Sequence, residues 1–279
     1  MSSSNKFNAI LFNLSGVGVL LTVAVYAVYS FITTPISAPC SQRFPSGQQF
    51  TLNGIHGAPL TAAELQGRAG TREWGLMKNA KVINGAAGRA GGSLEVTLAS
   101  TEDEELVNQN GVGFIWPVTE LSTAPSACLS YSVFVPAGFA FKEHGRLPGL
   151  YGATDLAQID EVLPEDGFAT RMGWAQAGHV GVDVIANGGG YFDATEREKI
   201  WPTGRWVAID QEVKLNTPAR ADGELRLWID GDLVINQNRV KLRKTADTTF
   251  SGVVGDVAYS RAHGDVAKIL ISPFMVQWQ

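Results

Sequence analysis

The chain has 279 residues, room for one large domain or two small ones, and its 31 Gly and 12 Pro are spread along the sequence. This composition favours many short strands joined by turns over long helices, and we predict a single, mostly β-sheet domain. The formal net charge of −5 argues against general nucleic-acid binding, which needs a basic face to displace counterions from phosphates, although it allows a local basic groove.

The first predicted element is a membrane-spanning helix, because residues 9–32 carry no charged side chain. About 20 apolar residues suffice to cross the hydrocarbon core of a bilayer. A cleaved signal peptide is the alternative, but the apolar run is long for one, and Pro39 disrupts the pattern of small residues before it. Lys6 favours a cytoplasmic N terminus with the remainder exported to the periplasm or the cell exterior. The predicted organisation is a cytoplasmic tail at 1–8, a membrane anchor at 9–32, a linker at 33–45 and a β-domain at 46–279.

The sequence has two cysteines, Cys40 just after the anchor and Cys128 deep in the domain. Both would lie in an oxidising compartment if the domain is exported, which favours a disulfide between them over two unpaired thiols. Two cysteines and four scattered histidines provide no zinc-ligand spacing. We therefore expect neither a structural metal nor a cofactor.

Short alternating runs of apolar and polar residues predict strands through most of the domain. The clearest are 93–98, 129–135 and 206–216, where apolar side chains recur at alternate positions, in the last case at Val207, Ile209, Val213 and Leu215. Asp230-Gly231 stands between two apolar runs, and this dipeptide tolerates the positive φ angles of a tight hairpin turn.

Helices are predicted for the anchor, for 61–66 with Thr61 as the N-cap, and for 194–199. The Gly triplet at 188–190 does not lie between a strand and a helix, so it does not predict a phosphate loop. The chain also lacks a G-x-S-x-G nucleophile elbow, which argues against serine-hydrolase chemistry.

Six segments in the C-terminal two thirds of the chain carry a resemblance to a known family. They are 130–139 (SYSVFVPAGF), 145–152 (GRLPGLYG), 168–172 (FATRM), 204–206 (GRW), 215–218 (LNTP) and 227–231 (LWIDG). Their order resembles the polysaccharide lyase 14 family of alginate and glucuronate lyases, with some likeness to the family 20 glucuronan lyases. The resemblance implies an all-β jelly roll, a concanavalin A-like sandwich of two antiparallel sheets whose concave face binds a glycan.

The resemblance also implies a reaction, β-elimination from a uronic acid. The proton on C5 is removed and the C4 glycosidic oxygen leaves. A cation must neutralise the C6 carboxylate, a base must take the proton and an acid must protonate the leaving oxygen. The expected ligand is therefore an acidic polysaccharide, and the expected enzyme class is a carbon–oxygen lyase.

Two arginines match family positions. Arg146 occupies the place of the lysine in the family's G-K-L-P-G segment, where it can bind a carboxylate through two hydrogen bonds but is a poor proton shuttle because it stays charged. Arg171 matches the arginine after the family's Phe-Ser segment, with Ala169 in place of the serine. Both are predicted to bind substrate and to contribute to catalysis.

The next segment departs from the family pattern. The strand predicted after Arg171 should carry paired tyrosines, but residues 179–185 contain none. His144, His179 and Tyr191 are the candidate replacements because each can titrate usefully in a groove. The histidines also fit an ordinary role as solvated or structural residues.

Three further residues complete the predicted substrate contacts: Lys142, Asp183 and Trp228. Lys142 also fits a solvated turn, and Trp228 also fits core packing, although its neighbours in the sequence are polar.

Two functions follow from these residues. The first is a membrane-anchored lyase with altered catalytic groups, acting on a uronate polymer such as alginate or glucuronan. The second is a non-catalytic protein that binds a glycan or assists in assembling an envelope polymer on the same scaffold. A scaffold subunit that binds no sugar is a third reading, and the sequence predicts no particular protein partner.

Overall fold

The computed structural model describes residues 38–70, 73–98, 110–141, 144–153, 167–186, 190–193, 199–259 and 266–279. All of them belong to one compact unit, Ala38–Gln279. The predicted anchor at 9–32 lies outside them, as does most of the helix predicted at 194–199. Among the described residues, no helix has the length and apolar character needed to cross a bilayer.

The described residues form seventeen strands and two α-helices. In chain order the strands are β1 Ser46–Phe50, β2 Glu73–Trp74, β3 Ala80–Asn84, β4 Gly92–Leu98, β5 Gly113–Pro117, β6 Ser126–Val135, β7 Gly145–Ala153, β8 Phe168–Trp174, β9 Val180–Ile185, β10 Tyr191–Asp193, β11 Arg205–Lys214, β12 Gly223–Ile229, β13 Asp232–Val240, β14 Thr249–Val254, β15 Ala258–Tyr259, β16 Ala267–Ile271 and β17 Phe274–Trp278. The helices are α1 Ala62–Ala69 and α2 Leu76–Asn79, and short 3₁₀ turns occur at Cys40–Gln42, Ile55–Gly57, Ala86–Gly88, Thr119–Thr123 and Gln176–Gly178.

The described strands make two antiparallel sheets. The nine-stranded sheet has the order β13-β12-β11-β6-β16-β4-β3, with β17 joining β1 to β6, and the eight-stranded sheet has the order β10-β9-β8-β7-β14-β5-β2, with β15 beside β7. Their facing surfaces supply one large apolar core, in which alternate residues of each strand are buried. The all-β prediction is confirmed, and the arrangement is consistent with a jelly roll.

Local predictions inside the sandwich agree well with the structure. The strands predicted at 93–98 and 129–135 lie in β4 and β6. Asp230 and Gly231 form the turn between β12 and β13 with φ angles of 52° and 87°, the left-handed region that a tight hairpin requires. Helix α1 begins after Thr61, whose hydroxyl accepts a hydrogen bond from the Glu64 amide while the Glu64 carboxylate accepts one from the Thr61 amide.

Two local predictions need correction. The helix predicted at 61–66 ends three residues too early, because α1 continues through Gly67 to Ala69 and stops only at Gly70, where φ is 86°. The four-residue helix α2 was not predicted, because one turn is too short to show a periodic pattern.

Residues 38–44, which we call the strap, cross the outer face of the nine-stranded sheet, the face turned away from the core. A disulfide joins Cys40 of the strap to Cys128 of β6, with 5.8 Å between the Cα atoms, and this is the pairing that the sequence favours. Arg43 of the strap forms an ion pair with Glu212, and its guanidinium lies 5.8 Å from the Trp228 ring centroid. The strap thereby covers Trp228.

Candidate functional site

The candidate site lies on the outer face of the eight-stranded sheet, which we call the site face. Across β7, β8 and β9, Arg146 is opposite Gly173 and Gly173 is opposite Gly181. Opposed residues of antiparallel strands place their side chains on the same face. Arg146 is therefore followed, across β8 and β9, by two positions in the same row that have no side chain.

A second cross-strand row runs beside the first. Arg171 of β8 is opposite Asp183 of β9, and Asp183 is opposite Tyr191 of β10. Arg171 and Asp183 are half-buried, and Tyr191 is 38% exposed. Two cations, a carboxylate and a phenol consequently share one small area of the sheet.

A β-bulge in β7 brings Arg146 onto the site face. Leu147 is opposite Met172 and Gly149 is opposite Arg171, so Pro148 is the extra residue that has no partner in the ladder. The Tyr131 hydroxyl, which comes from the nine-stranded sheet, donates a hydrogen bond of 3.1 Å to the Pro148 carbonyl. This contact crosses the core and fixes the bulge from beneath.

A buried glutamine supports the same two strands. The Gln211 amide nitrogen donates to the Thr170 carbonyl at 2.8 Å, and its amide oxygen accepts from the Leu150 amide at 3.3 Å. Gln211 is fully buried and belongs to β11 of the other sheet. Because buried polar groups need partners, these bonds tie β7 and β8 to a fixed position under the site.

Tyr191 reaches sideways across the neighbouring strand. A Cβ atom built on Gly181 would lie 2.2 Å from the Tyr191 hydroxyl oxygen, so the phenol occupies the space that a side chain on β9 would fill. The hydroxyl therefore stands in the row that contains Arg146, with Gly173 between them. The ring of exposed His144 lies 5.9 Å from the ring of Tyr191, measured between centroids.

Arg171 is held by a carboxylate from a distant part of the chain. Its Nε donates to Asp256 Oδ2 at 2.5 Å, and the side chains of both residues are largely buried, at 14% and 10% exposure. Asp256 belongs to the segment between β14 and β15, where its other oxygen lies close to Gly113 and the Trp74 ring. The ion pair fixes the Nε side of the guanidinium.

These strands lie within a segment that matches a known family. Residues 88–259 match the family model Polysaccharide lyase 14. The chain belongs to the polysaccharide lyase 14 family. Arg146, Arg171, Gly181, Tyr191 and Asp256 all lie within the matched segment, so the whole candidate site belongs to the family domain.

Solved structures show the same sandwich in other polysaccharide lyases. The polysaccharide lyase 14 alginate lyase from Aplysia kurodai superposes with a TM-score of 0.67 at 16% identity, covering 84% of this chain and 100% of that one. The alginate lyase vAL-1 from Chlorella virus gives 0.60 at 15% identity, over 73% and 90% of the two chains. The endo-β-1,4-glucuronan lyase from Trichoderma reesei gives 0.56 at 12% identity, over 84% and 96%. No curated protein matches the chain significantly.

The remaining predicted residues have different positions in this polysaccharide lyase 14 protein. His179 is half-buried on the strand-like segment two residues before Gly181, with its carbonyl accepting a hydrogen bond from the Ala175 amide at 2.8 Å. Lys142 lies outside the described residues. The structure therefore brings together Arg146, Arg171, Asp183, Tyr191 and His144, with His179 immediately before β9.

The prediction that Trp228 binds substrate is wrong. Its side chain is 0% exposed and lies on the outer face of the nine-stranded sheet, beneath Arg43. That face is on the opposite side of the sandwich from the site face. Polar neighbours in the sequence suggested exposure, but Arg226 and Asp230 form ion pairs on the sheet and Arg43 of the strap lies over the indole.

Among the described residues, metal-ligating atoms of three side chains come close together in one place, at Cys40, Cys128 and Asp210. The two sulfur atoms are joined in the disulfide, so neither is a thiolate that could bind a metal ion. These three side chains lie together because the disulfide attaches the strap to β6, and they are not part of the candidate site.

Proposed function

We propose that this protein cleaves a uronate-containing polysaccharide by β-elimination on the site face. The observation that carries the proposal is the position of Tyr191, whose hydroxyl crosses Gly181 into the row of Arg146. Family membership supports the lyase class, and the phenol supplies a proton donor that β9 itself lacks. The substrate lies over the glycine positions between the phenol and the guanidinium.

In the proposed reaction the two arginines share one role, and His144 and Tyr191 have one role each. Arg146, assisted by Arg171, neutralises the C6 carboxylate so that negative charge can develop at C5. His144 takes the C5 proton, a double bond forms between C4 and C5, and the bond from C4 to the glycosidic oxygen breaks. Tyr191 gives its proton to that leaving oxygen.

The substrate class is proposed from charge and from the relatives. Two arginines suit a carboxylated chain, because a guanidinium binds a carboxylate through two parallel hydrogen bonds. The structural neighbours are described as alginate lyases and a glucuronan lyase. We therefore propose a polyuronate, with alginate and glucuronan as the polymers to test.

A specific observation favours the second function, glycan binding without cleavage. Asp183 stands on the strand where the family resemblance predicts tyrosines, and its charge opposes the approach of a uronate carboxylate. Asp256 also neutralises part of the charge of Arg171. Under this alternative, Arg146 binds the polymer and no proton is moved.

One experiment separates the two functions. The full chain and its Tyr191→Phe variant are incubated with alginate, glucuronan and hyaluronan while ultraviolet absorbance follows the unsaturated uronate that elimination creates. We expect absorbance to rise with at least one polymer, and the rate to fall at least about 100-fold in the variant, the usual contribution of a positioned proton donor. Equal rates in the wild type and the variant would show that Tyr191 is not the proton donor. If no polymer gives a rise in absorbance, the lyase proposal is wrong and glycan binding without cleavage is the function to test.

We further propose that the domain is exported and anchored by residues 9–32. The Cys40–Cys128 disulfide supports export, since disulfides persist in oxidising compartments. After cell fractionation, the protein is expected in the membrane pellet and to resist extraction by alkaline carbonate. Release by carbonate would contradict the anchor.

A further inference from the structure

A row of apolar and aromatic side chains lies on the outer face of the nine-stranded sheet, away from the strap. Leu270, Phe134 and Trp206 are opposite one another on β16, β6 and β11, so their side chains form one row. All three are half-buried, and the Phe134 and Trp206 ring centroids are 5.8 Å apart. We call this row the Trp206 surface.

Arginines border the Trp206 surface at one end. The Arg89 guanidinium lies 5.2 Å from the Trp206 ring centroid, and the indole nitrogen donates to the Ala87 carbonyl at 3.2 Å. Arg205, the residue before Trp206 in the chain, is exposed and pairs with Asp230 at 2.7 Å. Stacking on an aromatic face leaves the edge of a guanidinium able to bind a carboxylate.

Lysines border the other end. Glu95 is opposite Leu270, and it pairs with Lys268 at 2.9 Å and with Lys81 at 3.2 Å. With the two arginines this makes four cations against two carboxylates, Glu95 and Asp230, an excess of two positive charges. The chain as a whole carries −5, so the surface is a local basic region on an acidic protein.

The row also has a concave part with room for a ligand. A groove of about 700 Å³ runs along Phe134 and Leu270 and under the loop at 136–140, with Lys268 and Glu95 at its side. This volume lies within the range of about 300 to 1,000 Å³ that is usual for small-molecule sites. Most of its lining is apolar, as the C–H faces of sugar rings require.

We infer that the Trp206 surface is a second, non-catalytic binding site for an acidic polysaccharide. Sugar rings pack on Phe134 and Trp206, and their carboxylates meet Arg89, Arg205 and Lys268. An uncharged apolar partner would desolvate the cations without compensating them, and this cost favours a carboxylated ligand. The inference goes beyond the proposed function, because it requires no elimination on the site face.

The position of the surface gives it a role distinct from that of the site. It lies on the opposite outer face of the sandwich, so a short oligosaccharide cannot contact both places. A long polymer can wrap from one face to the other, and two linked contacts raise the apparent affinity well above either alone. The Trp206 surface would therefore hold a long chain near the site face.

The test uses the full chain carrying Tyr191→Phe, which removes cleavage as a complication, and measures binding of long-chain alginate by titration calorimetry. Adding Arg89→Gln and Arg205→Gln is expected to weaken binding at least about fivefold and to reduce its dependence on salt. The control is Arg220→Gln, an exposed arginine beyond the other end of β11, which removes one positive charge from a distant place and is compared with each single variant, Arg89→Gln and Arg205→Gln, as well as with the double variant. Thermal unfolding checks that each variant is folded.

Three outcomes would overturn the inference: unchanged alginate affinity in the double arginine variant, an equal loss in the Arg220→Gln control, or equally tight binding of uncharged dextran. The result is independent of the proposed function. A chain that cleaves no polymer but loses alginate affinity in the double variant refutes the lyase and supports the second site. A chain that cleaves alginate but keeps its full affinity in the double variant supports the lyase and refutes the second site.

Discussion

Arginine side chains occupy both outer faces of the sandwich, but their surroundings differ. Under the strap, Arg43 and Arg226 both form ion pairs with Glu212, and Arg226 also pairs with Glu224. The indole of Trp228 fills the space beside them. These arginines are held among carboxylates and a buried ring, so their charge serves the packing of the strap.

On the site face, Arg171 also has a carboxylate partner, Asp256, but glycines lie across the strands from both arginines. Arg171 is opposite Gly149 on one side, and Arg146 is opposite Gly173, with Gly181 next in the row. The difference teaches that charge alone does not distinguish a binding arginine from a structural one. The space that glycines leave beside an arginine does distinguish them. We therefore expect substitutions under the strap to change stability and substitutions on the site face to change activity.

The largest expected effect concerns the strap. Replacing both Cys40 and Cys128 by Ser removes a cross-link between residues 88 positions apart, and a loop of that length is expected to contribute about 4 to 5 kcal/mol to the free energy of unfolding. Urea denaturation measures the loss. The elimination rate of the remaining folded protein should match the wild type, and a large fall in that rate would break the division between the two faces.

The next effect concerns the glycine under the phenol. Gly181→Ala places a methyl group 2.2 Å from the Tyr191 hydroxyl and must displace it. Since a misplacement of about 1 Å can reduce a catalytic rate about 100-fold, we expect a loss of that size in the elimination assay with little change in thermal stability. Gly190→Ala is the matched control, because a Cβ there meets no atom within 4 Å. Equal losses in the two variants would contradict this account of Gly181.

A smaller effect is expected from the ion pair that holds Arg171. Asp256→Asn keeps the shape of the side chain but removes the charge facing Nε. We expect kcat to fall about tenfold with a smaller change in KM, because the guanidinium loses its orientation more than its attraction for a carboxylate. Asp247→Asn, in an exposed loop, is the control. A change confined to the melting temperature would mean that Asp256 is structural and does not position Arg171.

The sequence predicted the strands well because that information is local, whereas the roles of Arg146 and Arg171 in binding and catalysis stay predictions. Alternation fixes which side chains share a face, and the G-R-L-P-G segment places Arg146 on a strand next to the strand of Arg171. The bulge at Pro148 could not be foreseen, since its support comes from Tyr131 in the other sheet. Asp256 was missed for a similar reason: it stands 85 residues from Arg171 in the chain.

Tyr191 and Trp228 show where a one-dimensional pattern fails. Tyr191 was one of three candidate proton donors, and the pairing of β10 with β9 distinguishes it by laying the phenol over Gly181. The Trp228 prediction failed because the strap that buries it is almost 200 residues away and is attached by the disulfide. Both features depend on long-range contacts that periodicity does not encode.

The smallest expected effect is electrostatic and lies on the strap side. Burial opposes the ionisation of Glu224, but hydrogen bonds and charge from Lys214 and Arg226 outweigh it and hold the pKa of this carboxyl below its usual value. A carboxyl whose pKa is lowered on folding stabilises the protein above its unfolded pKa of about 4.3, and this contribution disappears as the pH falls through the folded pKa.

Glu224→Gln should therefore lower the free energy of unfolding at pH 7 by about 0.2 to 1 kcal/mol, the range for exposed ion pairs. The difference from the wild type should shrink progressively as the pH falls below the unfolded pKa and the wild-type carboxyl becomes protonated, and urea denaturation at a series of pH values from 7 downward measures it. Elimination at pH 7 should not change, because Lys214, Arg226 and Glu224 lie on the opposite outer face from Arg146 and Arg171. A difference that stays constant as the pH falls would show that the substitution alters packing and not charge, and it would then say nothing about how the strap side uses its ion pairs.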